Sequence, residues 1–251
     1  MAGDNRYIRN VLYIKEEHQK RIANFKVLIA GCGIGSVIAE CLLRLGFENI
    51  TIVDGDTVEA SNLNRQNYLQ SDIGMNKATA LKNRLLAINP SANIEALPYY
   101  ITTENIKDLN IAHQVAINAL DFSTDVPFLF DELCCAKHIP VIHPYNLGWA
   151  GFVTVITDES GEVKSLESDK KVFELNIGSF IVNSLRKHNY PTAWFEKFLS
   201  DYEQISNHTP PSQLSIGVNI LSGMVSHIAF DIATQQPVKV FPEFYYLSLH
   251  T

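Results

Sequence analysis

Val27-Leu28-Ile29-Ala30-Gly31-Cys32-Gly33-Ile34-Gly35-Ser36 is the stretch whose reading decides the fold. A short apolar run ends in glycines at alternate positions, and a helical pattern starts at once with Val37, Ile38, Cys41, Leu42 and Leu45. A strand that turns through glycines into a helix gathers free backbone N–H groups and a helix's positive end at one point, which suits a phosphate. About twenty residues later a second apolar run, Ile50-Thr51-Ile52-Val53, ends in Asp54, where a ribose-binding carboxylate belongs. These features imply a bound nucleotide and leave NAD, FAD, SAM and ATP open.

The neighbouring sequence repeats the same alternation. A helical arm is expected over 8–24, a strand at 26–30, a helix at 35–45 capped by Gly46, and a strand at 49–53. Lys77, Ala78, Leu81, Leu85 and Ile88 mark a helix that Asn89-Pro90 stops. A strand at 93–97, a short helix near 103–109, a buried strand at 114–120 leading to Asp121, a helix at 125–137 and a strand at 139–143 follow. The pattern predicts an α/β fold, a Rossmann-like, mostly parallel sheet with helices on both faces. Ligands of such sheets bind beyond the carboxyl ends of the strands, where Gly31, Asp54 and Asp121 all fall.

Past residue 150 the character changes. A strand over 151–156 leads into a polar link at 157–171, helical patterns near 172–187 and 192–204, an apolar helix over 214–233 and an aromatic-rich strand over 238–249. The expected organisation is an N-terminal arm and nucleotide-binding region over 1–156. A smaller α+β part over 157–251 would complete the same domain as crossover segment, helix and strand.

At 251 residues, with 46% apolar and 19% charged residues, the chain has the composition of a globular protein with a substantial core. No unbroken apolar run of about eighteen residues suggests a membrane span, and Met1-Ala2-Gly3-Asp4-Asn5-Arg6 has no signal-peptide core. A net charge of −7 without a basic cluster argues against a nucleic-acid partner. Cys32, Cys41, Cys134 and Cys135 form neither a disulfide framework nor a CxxC zinc pair, so no structural zinc is expected, and a reducing cytoplasm is the simplest compartment.

The most informative block is Asp54-Gly55-Asp56-Thr57-Val58-Glu59-Ala60-Ser61-Asn62-Leu63-Asn64-Arg65-Gln66, followed by Gly74-Met75-Asn76-Lys77. It is too polar for core and too long for a simple turn. A lysine in the first turn of a helix is unfavourable unless an anion sits there. Arg65 and Lys77 beside a glycine turn suggest a triphosphate, and Asp121 is placed to hold Mg²⁺ on it. Pairing of both cations with Asp56 or Glu59 is the plainer alternative.

The pattern Asp-x-Asp-x-Val-x-x-Ser-Asn-Leu-x-Arg-Gln after a glycine turn, with Gly-x-x-Lys downstream, resembles the bacterial ubiquitin-activating-enzyme-like proteins of the ThiF, MoeB and HesA type. Ile88-Asn89-Pro90 and the opening Arg6-Tyr7-Ile8-Arg9 are similar too, and the resemblance covers roughly 6–156. It implies an ATP- and Mg²⁺-dependent adenylyltransferase that activates a carboxylate, most plausibly the C-terminal glycine of a ubiquitin-like sulfur-carrier protein or a peptide. By the same resemblance, Gly31, Gly33, Gly35, Asp54, Asp56, Asn62 and Gln66 would bind the nucleotide, with Asp54 on the ribose and Gln66 supporting the loop. Asn62, Arg65 and Lys77 would contact phosphates, Asp121 would hold Mg²⁺, and Arg9 would reach as an arginine finger into the partner's site of a homodimer.

The chain departs from that pattern in four places. Gly31-Cys32-Gly33-Ile34-Gly35-Ser36 is one residue shorter than the family's loop, and no arginine follows Asp121 within Phe122-Ser123-Thr124-Asp125-Val126-Pro127. Paired CxxC motifs are missing, and no cysteine follows Cys135, so a thioester handoff through a crossover cysteine within this chain is not expected. Cys134 and Cys135 read as inert buried thiols, Cys32 as a small filler, and His143 as a structural residue. Rival functions are a tRNA-modifying dehydratase of the same superfamily, a NAD-dependent oxidoreductase, and a non-catalytic nucleotide-binding relative.

Overall fold

In the computed structural model, which describes residues 5–166, 173–205 and 211–250, the apolar run before the glycines is β1 (Lys26–Ala30). Its side chains alternate between two cores. Val27 and Ile29 face one, Leu28 and Ala30 the other, and all four are fully buried. That is why the run reads as continuously apolar rather than alternating.

After α1 (Glu16–Asn24) and β1 come α2 (Gly35–Leu45), β2 (Asn49–Val53), α3 (Lys77–Ile88), β3 (Asn93–Leu97), β4 (Val115–Asn118), α4 (Val126–Cys135) and β5 (Val141–Asn146). The chain continues through β6 (Ala150–Ile156), α5 (Phe173–Lys187), α6 (Ala193–Glu203), α7 (Ser215–Ala233) and β7 (Tyr245–Ser248). They build one sheet in the order β3-β2-β1-β4-β5-β6-β7. The first five strands are parallel, and β6 and β7 are antiparallel. α2, α3 and α7 pack on one face through Ile38, Leu42, Leu81, Leu85, Leu221 and Val225. α4, α5 and α6 pack on the other through Phe128, Phe130, Ile181, Leu185 and Phe195. The fold is Rossmann-like.

Strand order reverses at β1, whose neighbours are β2 and β4, so the switch point and its crevice lie beyond the carboxyl ends of β1 and β4. The turn after β1 forms because Gly31 takes φ +92°, and any side chain there would put its Cβ 2.3 Å from the Ala119 carbonyl oxygen. Only glycine allows both. Gly31 N–H donates to the Val53 carbonyl and Ala119 N–H to the Ala30 carbonyl, which closes the three strand ends around the turn.

Several boundaries differ from the expected ones for identifiable reasons. The arm over 8–24 is not one helix. It is a 3-10 stretch, Asn5–Asn10, followed by a turn and then α1, with Tyr13 and Ile14 N–H groups donating to the Asn10 carbonyl. Ile8, Val11 and Leu12 point to solvent, so no core face extends the helix. The strand expected over 114–120 stops at Asn118, and 119–121 is irregular chain that leads into a turn at 122–123. The helix near 103–109 is one 3-10 turn, Ile106–Asp108. β5 runs past its expected end through Pro144, because the ladder to β4 ends at Ile142 and the missing N–H is not required there. Only Tyr245–Ser248 of the expected final strand pairs with β6; the residues before it turn the corner from α7. By length and composition α7 could cross a bilayer, yet half of its apolar window is buried in this fold, against α2, β5 and β6.

Candidate nucleotide site

At the end of β1 the N–H groups of Gly33, Ile34 and Gly35 have no backbone partner among the described residues, and they lead into the first turn of α2. Ser36 Oγ donates to the Gly33 carbonyl at 2.7 Å and accepts from Asn67 N–H at 3.0 Å, which ties the glycine turn to the polar loop. Asp54 closes the turn from the other side. Its carboxylate accepts from Cys32 N–H at 2.6 Å and from Asp56 N–H at 2.8 Å. Each oxygen keeps a lone pair for a hydroxyl donor. Cys32 itself is fully buried, and burial, reinforced by Asp54, pushes its thiol well up. It is a packing residue.

The polar loop builds its shape with its own side chains. Asn62 Oδ1 accepts from Glu59 N–H at 3.0 Å, and Asn62 is buried, with its amide nitrogen left over. Gln66 is buried against Gly33: its Nε2 is 3.4 Å from where a Cβ on that glycine would stand, and its Oε1 is buried without a hydrogen-bond partner. A buried acceptor with no donor beside a glycine turn marks a place for a further polar group. Arg65 Nε donates to Gln213 Oε1 at 2.9 Å, and its Nη1 donates to the Ser61 carbonyl and to Asn64 Oδ1. Nη2 makes no hydrogen bond to another described residue.

Lys77 is not a surface residue. Only 7% of it is exposed, and Nζ donates to Asp56 Oδ2 at 2.9 Å. That pairing uses one of its three N–H donors. Asp56 Oδ1 in turn accepts from the Tyr100 hydroxyl at 2.7 Å. Burial would raise the Asp56 carboxyl, but the bonds from Lys77 and Tyr100 outweigh it and hold the pKa below the ordinary value. Asp121 behaves oppositely. Its carboxylate reaches solvent on the open side and accepts no hydrogen bond from another described residue. The walls around it desolvate it and push its pKa up; Lys77 opposes this, Asp56 and Asp54 reinforce it, and Arg65 opposes it. Asp54 and Asp56 follow β2, Asp121 follows β4, Lys77 is bonded to Asp56 and Arg65 lies in the loop between them, so all five stand at the carboxyl end of the sheet around the turn after β1.

Arg9 is not brought there. Its arm is held at the far end of α2, with Tyr7 OH donating to Glu48 Oε1 at 2.8 Å and Asn10 Nδ2 to the Leu45 carbonyl at 3.2 Å. The 11 residues of α2 put that anchor roughly 16 Å from the glycine turn. His143, at 1% exposure, faces Asp131 rather than the crevice.

Other members were not evident beforehand. Glu40 on α2 accepts from Arg84 Nε at 2.6 Å, Arg44 Nε at 2.9 Å and Asn67 Nδ2 at 2.9 Å, fixing the loop against the helix. Tyr68 OH donates to the Cys32 carbonyl at 2.8 Å. Tyr100 lies so close over Gly55 that a Cβ there would come within 2.5 Å of its ring. Gln213 comes from 148 residues beyond Arg65. Helical or strand periodicity carries no signal for such long-range side-chain bonds.

The model of the ThiF family matches residues 7–250. The chain belongs to the ThiF family. It is 32% identical over 121 residues to a sulfur carrier protein adenylyltransferase of Thermus thermophilus, the match covering 47% of this chain and 45% of that one. It is 33% identical over 141 residues to a tRNA threonylcarbamoyladenosine dehydratase of Bacillus subtilis, covering 55% of each. The matches thus span about half the length of these curated ThiF-family relatives. Among solved structures, E. coli MccB with ATP superposes with a TM-score of 0.72 at 17% identity over 98% of this chain and 72% of that one. At that identity the likeness speaks for the fold.

Proposed function

We propose that this chain is an ATP-dependent adenylyltransferase that activates a carboxylate, and that the carboxylate is the C-terminus of a small ubiquitin-like sulfur-carrier protein. The observation that carries the proposal is the grouping, at the carboxyl end of the sheet around the switch point, of three N–H groups without a partner among the described residues with Arg65, Lys77, Asp54 and Asp121. A dinucleotide site would leave the two cations and Asp121 without work. The sulfur-carrier adenylyltransferase among the relatives favours this substrate. The related dehydratase favours the same chemistry on a nucleoside, but a charge of −7 without a basic cluster counts against an RNA substrate.

In the proposed reaction a carboxylate oxygen attacks the α-phosphorus of ATP, the bond to the bridging oxygen breaks, and pyrophosphate leaves with an acyl-adenylate formed. Negative charge grows on the α-phosphoryl and bridging oxygens, and catalysis needs fixed positive charge rather than a protein nucleophile. Arg65 Nη2 and the two remaining N–H donors of Lys77 supply it. The N–H groups of Gly33, Ile34 and Gly35 hold a phosphate, Asp54 accepts from the ribose hydroxyls, and Asn62 Nδ2 and the orphaned Gln66 Oε1 complete the polar lining. Mg²⁺ bound on the triphosphate would neutralise developing charge. Among the described residues no cluster of three or more His, Cys, Asp or Glu could hold a metal alone. Asp121, with no hydrogen-bond donor of its own, fits an ion that brings phosphate and water ligands with it.

The proposed assembly is a homodimer. The arm that carries Arg9 leaves Leu12 93% and Tyr13 91% exposed, apolar surface that a second copy would cover. Arg9, too far from its own crevice, would then serve the partner's.

ATP–pyrophosphate exchange with candidate carrier proteins tests the function. Exchange that depends on one carrier is the expected result; absence of exchange together with absence of ATP binding sinks the reading.

A further inference from the structure

Three buried polar side chains lie beneath the segment that carries Asp121, and the chemistry above does not use them. Asn118, Asp131 and His143 are 2%, 8% and 1% exposed. Asn118 ends β4, and its Nδ2 donates to the Pro127 carbonyl and to Asp131 Oδ1, both at 2.9 Å. Its Oδ1 accepts from Leu120 N–H at 3.4 Å, one residue before Asp121. His143 Nε2 stands 2.9 Å from the same Asp131 oxygen. Facing a carboxylate, Nε2 is the nitrogen that carries a proton. Nδ1 is left toward the Tyr145 hydroxyl at 3.5 Å.

The other side of Asp121 is held by rings. Phe122 stacks on Phe173 at 4.3 Å between centroids, and on His143 and Tyr145 at 6.3 Å each. His143 therefore touches both devices: its nitrogen completes the Asp131–Asn118 network under Leu120, and its ring backs Phe122. A fold has no packing reason to bury a histidine and a carboxylate here. Apolar side chains of similar volume would fill the space without the desolvation cost. The network does what apolar packing does not: it fixes the direction in which the 119–122 segment leaves β4.

We infer that His143, through Asp131 and Asn118 on one side and Phe122 on the other, is a positioning residue for Asp121. It touches neither nucleotide nor metal. The inference rests on the assignment of Asp121 to the metal side of an ATP site, and its test has an arm that does not need that assignment.

Gln places an amide nitrogen near the position of Nε2, whereas Asn does not reach it. In His143→Asn, hydrogen–deuterium exchange of the nucleotide-free protein should accelerate at residues 119–122 and stay unchanged at 31–37. The affinity for ATP with Mg²⁺ should fall at least fivefold, with the affinity for ATP in EDTA within twofold of wild type. His143→Gln should restore the Mg²⁺-dependent affinity in large part. Phe122→Leu, which removes the stack and leaves the hydrogen bonds, should give the same selective loss and stands in if His143→Asn does not fold. Unchanged exchange at 119–122, or equal losses with and without Mg²⁺, overturns the positioning role. A wild type that binds no ATP in either condition overturns the proposed function instead, and the exchange arm still decides whether His143 holds the segment.

Discussion

Arg65 Nε donates to Gln213 Oε1 at 2.9 Å, so the guanidinium in the loop after β2 is aimed by a residue just before α7. The two positions lie 148 residues apart in the chain. With the Ser61 carbonyl and Asn64 Oδ1 taking Nη1, Nη2 alone of the three nitrogens has no hydrogen bond among the described residues. Arg65→Ala should lower exchange by about a hundredfold or more, the usual cost of losing one preorganised charge donor. Gln213→Leu should be milder and raise the KM for ATP about three- to tenfold, the worth of one hydrogen bond of about 1 kcal/mol. Steady-state exchange kinetics separate them; a Gln213→Leu enzyme with wild-type KM refutes the aiming role.

Glu40 makes a pH prediction. Burial raises its carboxyl, but the hydrogen bonds from Arg84 and Arg44 and their charges more than compensate, and the pKa ends below the ordinary glutamate value. A carboxyl whose folded pKa is depressed contributes stability above its unfolded pKa, about 4.3, and loses it as pH falls through the folded value. Glu40→Gln should therefore cost about 1.5–3 kcal/mol at pH 7. As pH falls below about 4.3 and on through the lower folded value, the gap between variant and wild type should narrow. Urea unfolding of both at pH 7 and pH 3 measures it, and a gap as wide at pH 3 as at pH 7 contradicts the ion-pair origin.

Much of this was legible in the residues because the signals are local. β1, α2, β2, α3 and β3 have their expected bounds, since glycines, caps and a proline punctuate them. The glycine turn, Asp54, Arg65, Lys77 and Asp121 stood out as residue types with no packing reason to be where they are. What was not legible is how they are held. Lys77 as a buried partner of Asp56, Tyr100 over Gly55 and Gln213 on Arg65 depend on chain segments that meet only after folding. The arm misled for the opposite reason. Ile8, Val11 and Leu12 recur at helical spacing, yet they face solvent in a single chain, and periodicity records that a face is apolar without recording what covers it.

Gly31 should tolerate no side chain. Gly31→Ala would need a left-handed backbone at φ +92° and would press its Cβ against the Ala119 carbonyl at 2.3 Å, backbone on backbone. Strain of this kind costs about 1–3 kcal/mol, and overpacking adds about as much. Because Ala119 leads into the Asp121 segment, relief of the clash would also push Asp121 away from the phosphate cradle. Chemical denaturation should register the stability loss and ATP titration a loss of affinity. A variant as stable as wild type would show that the turn relaxes freely.

The thiols give the last prediction. Burial raises the Cys134 thiol, and burial with Asp131 and Asp158 pushes Cys135 up to about 11. At pH 8 the thiolate of Cys135 is then only about one molecule in a thousand, and the thiolate is the reactive species. Neither side chain touches the crevice: both belong to α4, where Cys134 is fully buried in the apolar layer below the sheet. Cys134→Ser and Cys135→Ser should therefore leave ATP–pyrophosphate exchange within about twofold of wild type. Iodoacetamide at pH 7.5 should leave both unmodified in the native protein and alkylate both once urea unfolds it. Peptide mass mapping of the two reactions reads the result. Rapid alkylation of Cys135 in the folded chain, accompanied by loss of exchange, would reverse the assignment and make that thiol a participant in the transfer.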